Sequence, residues 1–395
     1  MLILATHPIW NVPPFVNAAK AFATCGFQSL VVGYQGQGLP AIERLEKDSW
    51  VLRLPLRCRN ISLSSLRKAS SLIEFQLAAL RVVDKWKPDA VIAFNDPTTL
   101  ILKSMRKKKI AKICWLLEYP EDNIEGFMEK MLQRACRKRW CHADIVVLPN
   151  QHRLALHSAV CPKLIEKTSF VIHNSPMRNE EQKSFDQNEK VIEIVKVLSD
   201  AKNRGLRIVV YAGALGKRYG IDMLLKAIAS SKSAFLLLLG KKHELSLREI
   251  AAVLPNHENH GRMKWVDEFP YRYLASVLKH CDIGFVHYIG DNLNTRYSAP
   301  GKLYEYLRAG LAVITDSGQE MSAAIRSAQA GRILSFPLQE LELLNSINEL
   351  TEDVSKLEAI KRNSANLFTN EFCLELQIQP LITETQKLIG ENERA

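Results

Sequence analysis

Long hydrophobic runs are missing from this chain of 395 residues. Its longest apolar stretch, residues 234–239, has the length of a strand, whereas a membrane-spanning helix needs roughly 18–20 apolar residues. The apolar opening, residues 1–5, is too short for a secretory signal peptide, and no basic region precedes it. We therefore predict a cytoplasmic protein.

Paired cysteines are also missing. The sequence has eight cysteines but no CxxC pair and no spacing typical of a zinc site. Cys136 and Cys141 lie close to His142, yet the intervals between them do not match those of zinc ligands. Scattered cysteines in a cytoplasmic chain are usually reduced thiols. We predict no disulfide framework and no metal site.

Acidic residues are scarce in the first half of the chain. Residues 1–185 hold 27 Lys and Arg against 16 Asp and Glu, whereas residues 186–395 hold 26 of each kind. The formal net charge of +11 therefore belongs entirely to the first half. A one-sided positive field indicates an anionic partner, which is a membrane surface, an anionic acceptor or nucleic acid.

Two basic segments carry much of this charge. Residues 103–112 contain six Lys or Arg, and residues 129–140 mix basic residues with Met131, Leu132 and Trp140. This mixture favours an amphipathic helix on an anionic membrane surface, although a solvated basic helix is the alternative. Little aromatic interleaving and no recognition motif argue against nucleic acid. We expect salt-sensitive membrane attachment that is lost when five basic residues are neutralised together: Lys107, Lys108, Arg137, Lys138 and Arg139.

Short apolar strands alternate with helical segments along the chain, which has 47% hydrophobic and 24% charged residues. This alternation predicts an α/β protein whose parallel sheets are covered on both faces. The length allows two domains, each with its own core. A polar stretch with no glycine until Gly205 marks the break between them. We predict a first domain over 1–180, a linker over 181–206, a second domain over 207–372 and a C-terminal helix over 373–395 that packs back on the first domain.

Two carboxylates follow predicted buried strands in the first domain. Asp96 comes after the strand 90–94, and Glu118 comes after the strand 113–117. The carboxyl ends of strands in an open α/β sheet face the ligand crevice, so we expect these side chains to converge there. As alternatives, Asp96 caps a helix that begins near Thr98, and Glu118 is an exposed loop residue.

A glycine-rich turn opens the second domain. Residues 213–220 follow the predicted strand 207–212 and precede the predicted helix 221–230. Three glycines in such a turn allow phosphate to approach the backbone, and Lys217 and Arg218 complement its charge. The spacing matches neither a dinucleotide fingerprint nor a Walker loop, so the turn alone is a weak signal.

The segment 297–315 predicts a turn, a helix and a buried strand in succession. Pro300 suits the first turn of a helix, and Ser298 is its predicted cap. We expect the helix to begin at about Gly301 and to end at Gly310.

The start of this helix is the predicted anion site. Its N–H groups and the charge of Lys302 suit a nucleotide diphosphate, and Glu305 suits ribose hydroxyls. A helix that merely begins with proline and ends with glycine is the alternative interpretation.

Three segments resemble the GT-B-fold glycosyltransferases, specifically family 4 of retaining, nucleotide-sugar-dependent enzymes. Asp282-Ile283-Gly284 together with 297–313 is similar to the family's "aDigi…Y..P.KlyEY...G.pvi" block. Residues 174–176 resemble its "hN.p" segment, and residues 213–220 resemble its donor loop. The resemblance implies two Rossmann-like domains whose parallel sheets face each other across a cleft. The first would bind the acceptor and the second the donor.

The resemblance also implies roles for particular residues. Glu305 matches the second glutamate of the family's E-x7-E motif, whereas Tyr297 occupies the position of the first. The usual loop arginine and lysine fall at Ala214 and Tyr219, so the positive charge must come from other residues. The implied donor-binding residues are Gly213, Lys217, Arg218, Gly240, Val266, Ser298, Gly301, Lys302 and Glu305. The implied catalytic residues are Asp96, Glu118 and Lys302.

The implied reaction is a retaining transfer of a sugar from a nucleotide-diphosphate donor to a glycan or lipid-linked acceptor, in cell-surface polysaccharide biosynthesis. Fixed cations would stabilise the leaving diphosphate, so we predict no metal and no other cofactor. Asp96 or Glu118 would orient hydroxyl groups. A nucleotide-sugar epimerase of the same fold and an inactive nucleotide-binding protein are the two alternatives.

Overall fold

The structure is a computed structural model that describes residues 1–8, 13–36, 38–46, 48–56, 64–105, 109–119, 127–178, 188–241 and 261–394. The chain forms two compact units. The first comprises Met1–Met177 together with Leu374–Ala395, and the second comprises Arg178–Cys373. Lys107 and Lys108 of the predicted basic segment lie outside the described residues.

The first unit is built on one sheet in the order β3-β4-β2-β1-β5-β6-β7-β8. Every described pair is parallel except β3 with β4, which is antiparallel. The strands are β1 (Leu2–Pro8), β2 (Ser29–Tyr34), β3 (Ile42–Glu46), β4 (Ser49–Leu54), β5 (Ala90–Phe94), β6 (Ala111–Trp115), β7 (Ile145–Leu148) and β8 (Thr168–Val171). The helices are α1 (Pro13–Thr24), α2 (Ser64–Trp86), α3 (Asn95–Ser104), α4 (Phe127–Trp140), α5 (Gln151–Val160) and, at the end of the chain, α14 (Leu374–Arg394).

Both faces of this sheet are covered. Along β1, Ile3 points into a core that α1 and α14 share, whereas Leu2 and Leu4 point into a core shared with α2 and α3. Alternation along a strand sends successive side chains to opposite faces, so a strand covered on both faces is apolar throughout. The continuous apolar runs in the sequence have this cause, and the prediction of an α/β fold with parallel sheets is confirmed.

The second unit repeats the architecture with a sheet in the order β11-β10-β9-β12-β13-β14, and every described pair is parallel. Its strands are β9 (Arg207–Ala212), β10 (Ala234–Leu239), β11 (Met263–Val266), β12 (Ile283–Phe285), β13 (Ala312–Asp316) and β14 (Gly331–Leu334). Its described α-helices are α6 (Glu189–Asn203), α7 (Ile221–Ser230), α8 (Leu274–Leu278), α9 (Leu293–Arg296), α10 (Gly301–Arg308), α11 (Ser322–Ser327), α12 (Glu340–Glu352) and α13 (Val354–Leu367).

The stretch predicted as a linker, 181–206, differs from its prediction where the structure describes it. Helix α6 occupies Glu189–Asn203 and packs its apolar face into the core of the second unit. That face recurs at helical spacing along a polar sequence: Val191, Ile194, Leu198 and Ala201. The polar composition that indicated a linker therefore belongs to the exposed side of an amphipathic helix.

Candidate active site

Two glycines meet at the carboxyl ends of β9 and β10. Gly213 and Gly240 both have a φ of +141°, a backbone conformation that favours glycine. A Cβ added to Gly240 would lie 2.0 Å from the carbonyl oxygen of Gly213, so only glycine fits there. The N–H of Gly240 donates to the carbonyl oxygen of Val266 (2.9 Å), which ties the end of β11 to the same edge. Three of the predicted donor-binding residues are therefore neighbours.

Helix α10 begins at Gly301 and ends before Gly310, as the sequence predicts. The N–H groups of Gly310 and Leu311 donate to the carbonyl oxygens of Leu307 (3.0 Å) and Tyr306 (3.0 Å), which is a Schellman ending. The predicted cap is wrong, because no side chain caps α10. The hydroxyl of Ser298 donates instead to Oε1 of Gln319 (2.8 Å).

Packing fixes α10 against the sheet. The hydroxyl of Tyr306 accepts a hydrogen bond from the N–H of Ala212 at the end of β9 (2.8 Å). The Tyr306 ring lies so close to Gly284 in β12 that an added Cβ would meet it at 2.4 Å. The start of α10 is therefore held beside the glycine turn that follows β9.

Lys302, in the first turn of α10, is surrounded by aromatic rings. Its Nζ lies 3.8 Å from the centre of the Tyr211 ring, 5.4 Å from that of Tyr219 and 5.6 Å from that of Tyr288. A Cβ added to Gly213 would approach the same Nζ to 2.9 Å. Burial lowers the pKa of Lys302 to about 7.

No carboxylate of the described residues forms an ion pair with Lys302. The three rings supply attraction through their faces, which is weaker than the attraction of a full negative charge. An anion placed beside Gly213 would therefore meet a cation that no carboxylate of the described ranges neutralises.

The other two predicted cations have different surroundings. Lys217 is exposed, in a short 3₁₀ turn over Lys217–Tyr219. Arg218 pairs with Asp291, with 3.2 Å between Nη2 and Oδ2, and this ion pair is partly exposed. Lys302 is thus the predicted donor-site cation that is most enclosed and that has no carboxylate partner among the described residues.

Glu305 lies one helical turn beyond Lys302 and is buried. Its Oε2 accepts a hydrogen bond from Nη2 of Arg308 (2.6 Å), and its Oε1 accepts one from the hydroxyl of Tyr271. Both carboxylate oxygens therefore have protein partners. A ribose hydroxyl at this site would compete with Tyr271 for Oε1 or share it.

One buried pair was not singled out from the sequence. Nδ1 of His287 lies 2.7 Å from Oδ2 of Asp316, and both side chains are buried. Oδ1 of Asp316 accepts a hydrogen bond from the N–H of Gly318 (2.8 Å). The His287 ring also contacts Gly220, where an added Cβ would meet it at 2.8 Å. The signal in the sequence is that His287 and the Asp316 carboxylate come at the ends of neighbouring buried strands.

In the first unit, Asp96 lies in the first turn of α3, directly after β5. Its Oδ1 accepts a hydrogen bond from Nε1 of Trp140 (2.8 Å). Burial raises the pKa of Asp96 to about 7, and the nearby charge of Glu118 acts in the same direction, whereas Trp140 and Arg137 lower it. The alternative role of Asp96 as a helix cap is wrong, because no side chain caps α3.

Glu118 follows β6, which ends at Trp115, two residues earlier than the predicted strand end. Its side chain is exposed, as the alternative interpretation states. Next to it, the buried Tyr119 packs edge-on against His157, with 5.2 Å between the ring centres. The N–H of Leu117 donates to Oδ1 of Asn95 (2.9 Å), so the ends of β5 and β6 are held together.

The described residues contain no group of three or more His, Cys, Asp or Glu side chains placed to hold a metal ion. The helices in the described ranges are all too short or too polar to cross a bilayer.

Comparisons with known structures support the assignment of a two-unit α/β fold. The chain is similar to sucrose-phosphate synthase from Thermosynechococcus elongatus, with a TM-score of 0.70 and 15% identity over 98% of each chain. It is similar to Anabaena Alr3699/HepE in complex with UDP and glucose, with a TM-score of 0.67 and 14% identity over 98% of each chain. It is also similar to WaaG, a glycosyltransferase involved in lipopolysaccharide biosynthesis, with a TM-score of 0.62 and 14% identity over 97% of this chain and 99% of WaaG.

Two α/β units with parallel sheets are the fold of these GT-B neighbours, and this chain has the same fold. Residues 194–367, which lie within the second unit, match the family model described as Glycosyl transferases group 1. The resemblance noted in the sequence is therefore confirmed. A comparison with curated protein sequences gives no match.

Proposed function

We propose that this enzyme transfers a sugar from a nucleoside-diphosphate donor to a glycan or lipid-linked acceptor, with retention of configuration, in cell-surface polysaccharide biosynthesis. The donor occupies the second unit, with its diphosphate beside Gly213 and the start of α10. Two similar proteins support this proposal. The Anabaena HepE structures contain UDP or UDP-glucose, and WaaG is involved in lipopolysaccharide biosynthesis.

The observation that carries the proposal is the environment of Lys302. An ammonium group held among three tyrosines, with no carboxylate partner among the described residues, is an electrostatic arrangement that an anion completes. Gly213 leaves room beside it, and the N-terminus of α10 adds its dipole. Negative charge that develops on a leaving diphosphate would be stabilised by the same groups. No metal ion and no other cofactor enters this proposal.

Calorimetric titration with UDP, GDP, ADP and CDP tests donor binding and identifies the base. Binding of one nucleotide that is weakened at least tenfold in Lys302→Met is the expected result. Lys226→Met is the matched control, because Lys226 is an exposed lysine of the same unit that pairs with Glu340 (3.6 Å). No binding of any nucleotide by the unmodified enzyme would overturn the proposal.

Transfer is then tested with the nucleotide sugars of the identified base and with lipid-linked oligosaccharides. The anomeric configuration of the product, read by NMR, decides between retention and inversion. Release of an epimerised donor without acceptor would identify the epimerase instead.

We further propose that the enzyme acts while attached to the anionic inner face of the cell membrane through α4. Phe127 and Met131, one turn apart on this helix, are 75% and 52% exposed, so they present two large apolar side chains to solvent. Lys130, Arg134 and Lys138 are exposed on the same helix, at spacings that put all five residues on one side. Buried Cys136 and Trp140 lie on the opposite side. Apolar side chains interspersed with basic ones favour insertion at an anionic bilayer surface.

Co-sedimentation with vesicles tests this attachment. We expect binding to equal mixtures of phosphatidylglycerol and phosphatidylcholine, weak binding to phosphatidylcholine alone, and release by salt. Changing Lys130, Arg134 and Lys138 to Gln should abolish it. The same change at Arg81, Lys85 and Lys87, which are also exposed in the first unit, is the matched control. Equal binding to both kinds of vesicle, or none at low salt, would contradict the proposal.

A further inference from the structure

The backbone around Asp96 is fixed by a set of local hydrogen bonds. Asn95 has a φ of +61°, in the left-handed region, and its side chain is bonded to the N–H of Leu117. The hydroxyl of Thr98 donates to the carbonyl oxygens of Phe94 (2.7 Å) and Asn95 (3.0 Å). These bonds determine where the main chain of Asp96 leaves the sheet edge, but they leave its side chain free to rotate.

Trp140 supplies the remaining constraint on the side chain. Its indole N–H donates to Oδ1 of Asp96, and the indole itself is buried at the end of α4, beside the His157 ring with 5.0 Å between the ring centres. His157 is in turn held by a hydrogen bond from its Nδ1 to the carbonyl oxygen of Arg153 (2.7 Å). Because the indole of Trp140 is packed in place, its N–H sets the direction in which the Asp96 carboxylate points.

The second carboxylate oxygen of Asp96 has a different environment. Oδ2 has no hydrogen-bond partner among the residues that the structure describes, and it is not fully enclosed. One oxygen is therefore held and the other is available to accept a hydrogen bond. An ionised carboxylate oxygen in an open position can accept a hydrogen bond from a ligand hydroxyl.

We propose that Trp140 is a positioning residue that holds the Asp96 carboxylate so that its Oδ2 accepts a hydrogen bond from an acceptor hydroxyl. This inference rests on the proposed glycosyl transfer and assigns the acceptor-hydroxyl group to the first unit. No covalent bond forms or breaks in this step: the acceptor hydroxyl donates a hydrogen bond to Oδ2, and the ionised carboxylate accepts it more strongly than the neutral acid does.

The charged and titratable groups that face Asp96 set the pH at which this works. They are Arg137 and Cys136 on α4, Cys114 on β6 and Glu118 after β6. Burial raises the pKa of both cysteines, so these thiols stay neutral through the range of interest. The hydrogen bond from Trp140 favours the ionised form of Asp96, and losing it raises the Asp96 pKa further.

The test is the pH dependence of kcat/KM for the acceptor in Trp140→Phe, which removes the N–H donor and keeps an aromatic ring. We expect the acid limb of the profile to move upward by about one pH unit, with nucleotide affinity unchanged. Trp115→Phe is the matched control. Trp115 is also buried in the first unit, but its N–H has no hydrogen-bond partner among the described residues. The pH profile of Trp115→Phe should therefore match that of the unmodified enzyme.

Two further measurements distinguish a wrong role for Trp140 from a wrong proposed function. Carboxyl NMR titration reads the pKa of Asp96 directly, and it should rise in Trp140→Phe even without turnover. Adding Trp140→Phe to Asp96→Asn should lower kcat/KM for the acceptor little further, because both changes act through one carboxylate. An unmoved Asp96 pKa, or equal shifts in the two tryptophan variants, would overturn the proposal. Absence of transfer with any sugar donor would instead overturn the proposed function.

Discussion

Donor binding should depend on pH through Lys302. Burial lowers the pKa of this lysine to about 7 in the free enzyme, and a bound diphosphate raises it again by attraction. Below pH 7 the ammonium is already charged and the affinity is constant. Above pH 7 each binding event takes up a proton, so the affinity falls as the pH rises.

The size of the effect follows from this single ionisation. A group that is half neutral at pH 7 is about 99% neutral at pH 9, so the Kd should weaken about 50-fold, or roughly 2.3 kcal/mol, over this interval. Tyr211 and Tyr288 do not interfere, because burial raises the pKa of both.

Calorimetry with the best-bound nucleoside diphosphate measures this directly, since the heats in buffers of different ionisation enthalpy report the number of protons taken up. Between pH 7 and pH 9 the terminal phosphate of the nucleotide is already largely ionised, since its second pKa is about 6, so the change comes mainly from the protein. Lys302→Arg should show a flat profile, because a guanidinium stays charged throughout. Lys226→Met should keep the slope of the unmodified enzyme. A Kd that is the same at both pH values, or an equal slope in Lys302→Arg, would refute the reasoning.

Two other variants test the second unit. Glu305→Ala removes the acceptor of the Arg308 hydrogen bond in a buried site, so it should lower the free energy of unfolding by about 1–3 kcal/mol and weaken nucleotide binding, whereas Glu305→Gln should do less. Unchanged nucleotide affinity in Glu305→Ala would count against its predicted role. Gly240→Ala should lower the free energy of unfolding by about 3 kcal/mol or more, because its Cβ would meet the carbonyl oxygen of Gly213. Gly26→Ala, with a φ of +88° and open space, should cost about 1 kcal/mol in denaturant unfolding, and equal losses would contradict the close-approach argument.

The parts of this fold that could be predicted are those that local chemistry decides. Helix α10 begins at Gly301 and ends before Gly310 as expected, because proline and glycine restrict the backbone irrespective of what packs around it. Continuous apolar runs predict doubly covered parallel strands for a similarly local reason. The composition of α6 is typical of a linker, and only the spacing of its apolar residues indicates a helix.

The surroundings of the site residues could not be predicted in this way. Tyr211 lies in β9, Tyr219 in the turn that follows it and Tyr288 after β12. They surround Lys302 only because β9 and β12 are neighbours in the sheet and α10 packs beside the end of β9. Trp140 reaches Asp96 across a long stretch of sequence for the same reason. The types of residue indicated a site, and the tertiary structure determines what each side chain contacts.

The last helix of the chain, α14, has a consequence for the order in which the protein matures on the ribosome. Its residues Ile378, Leu381 and Ile382 are buried in the core of the first unit, together with Ile3 and Phe22. The second unit is complete in sequence before α14 is synthesised, so it can fold before α14 is available. Most of the first unit is translated earlier. It keeps part of an apolar surface exposed until α14 has been synthesised.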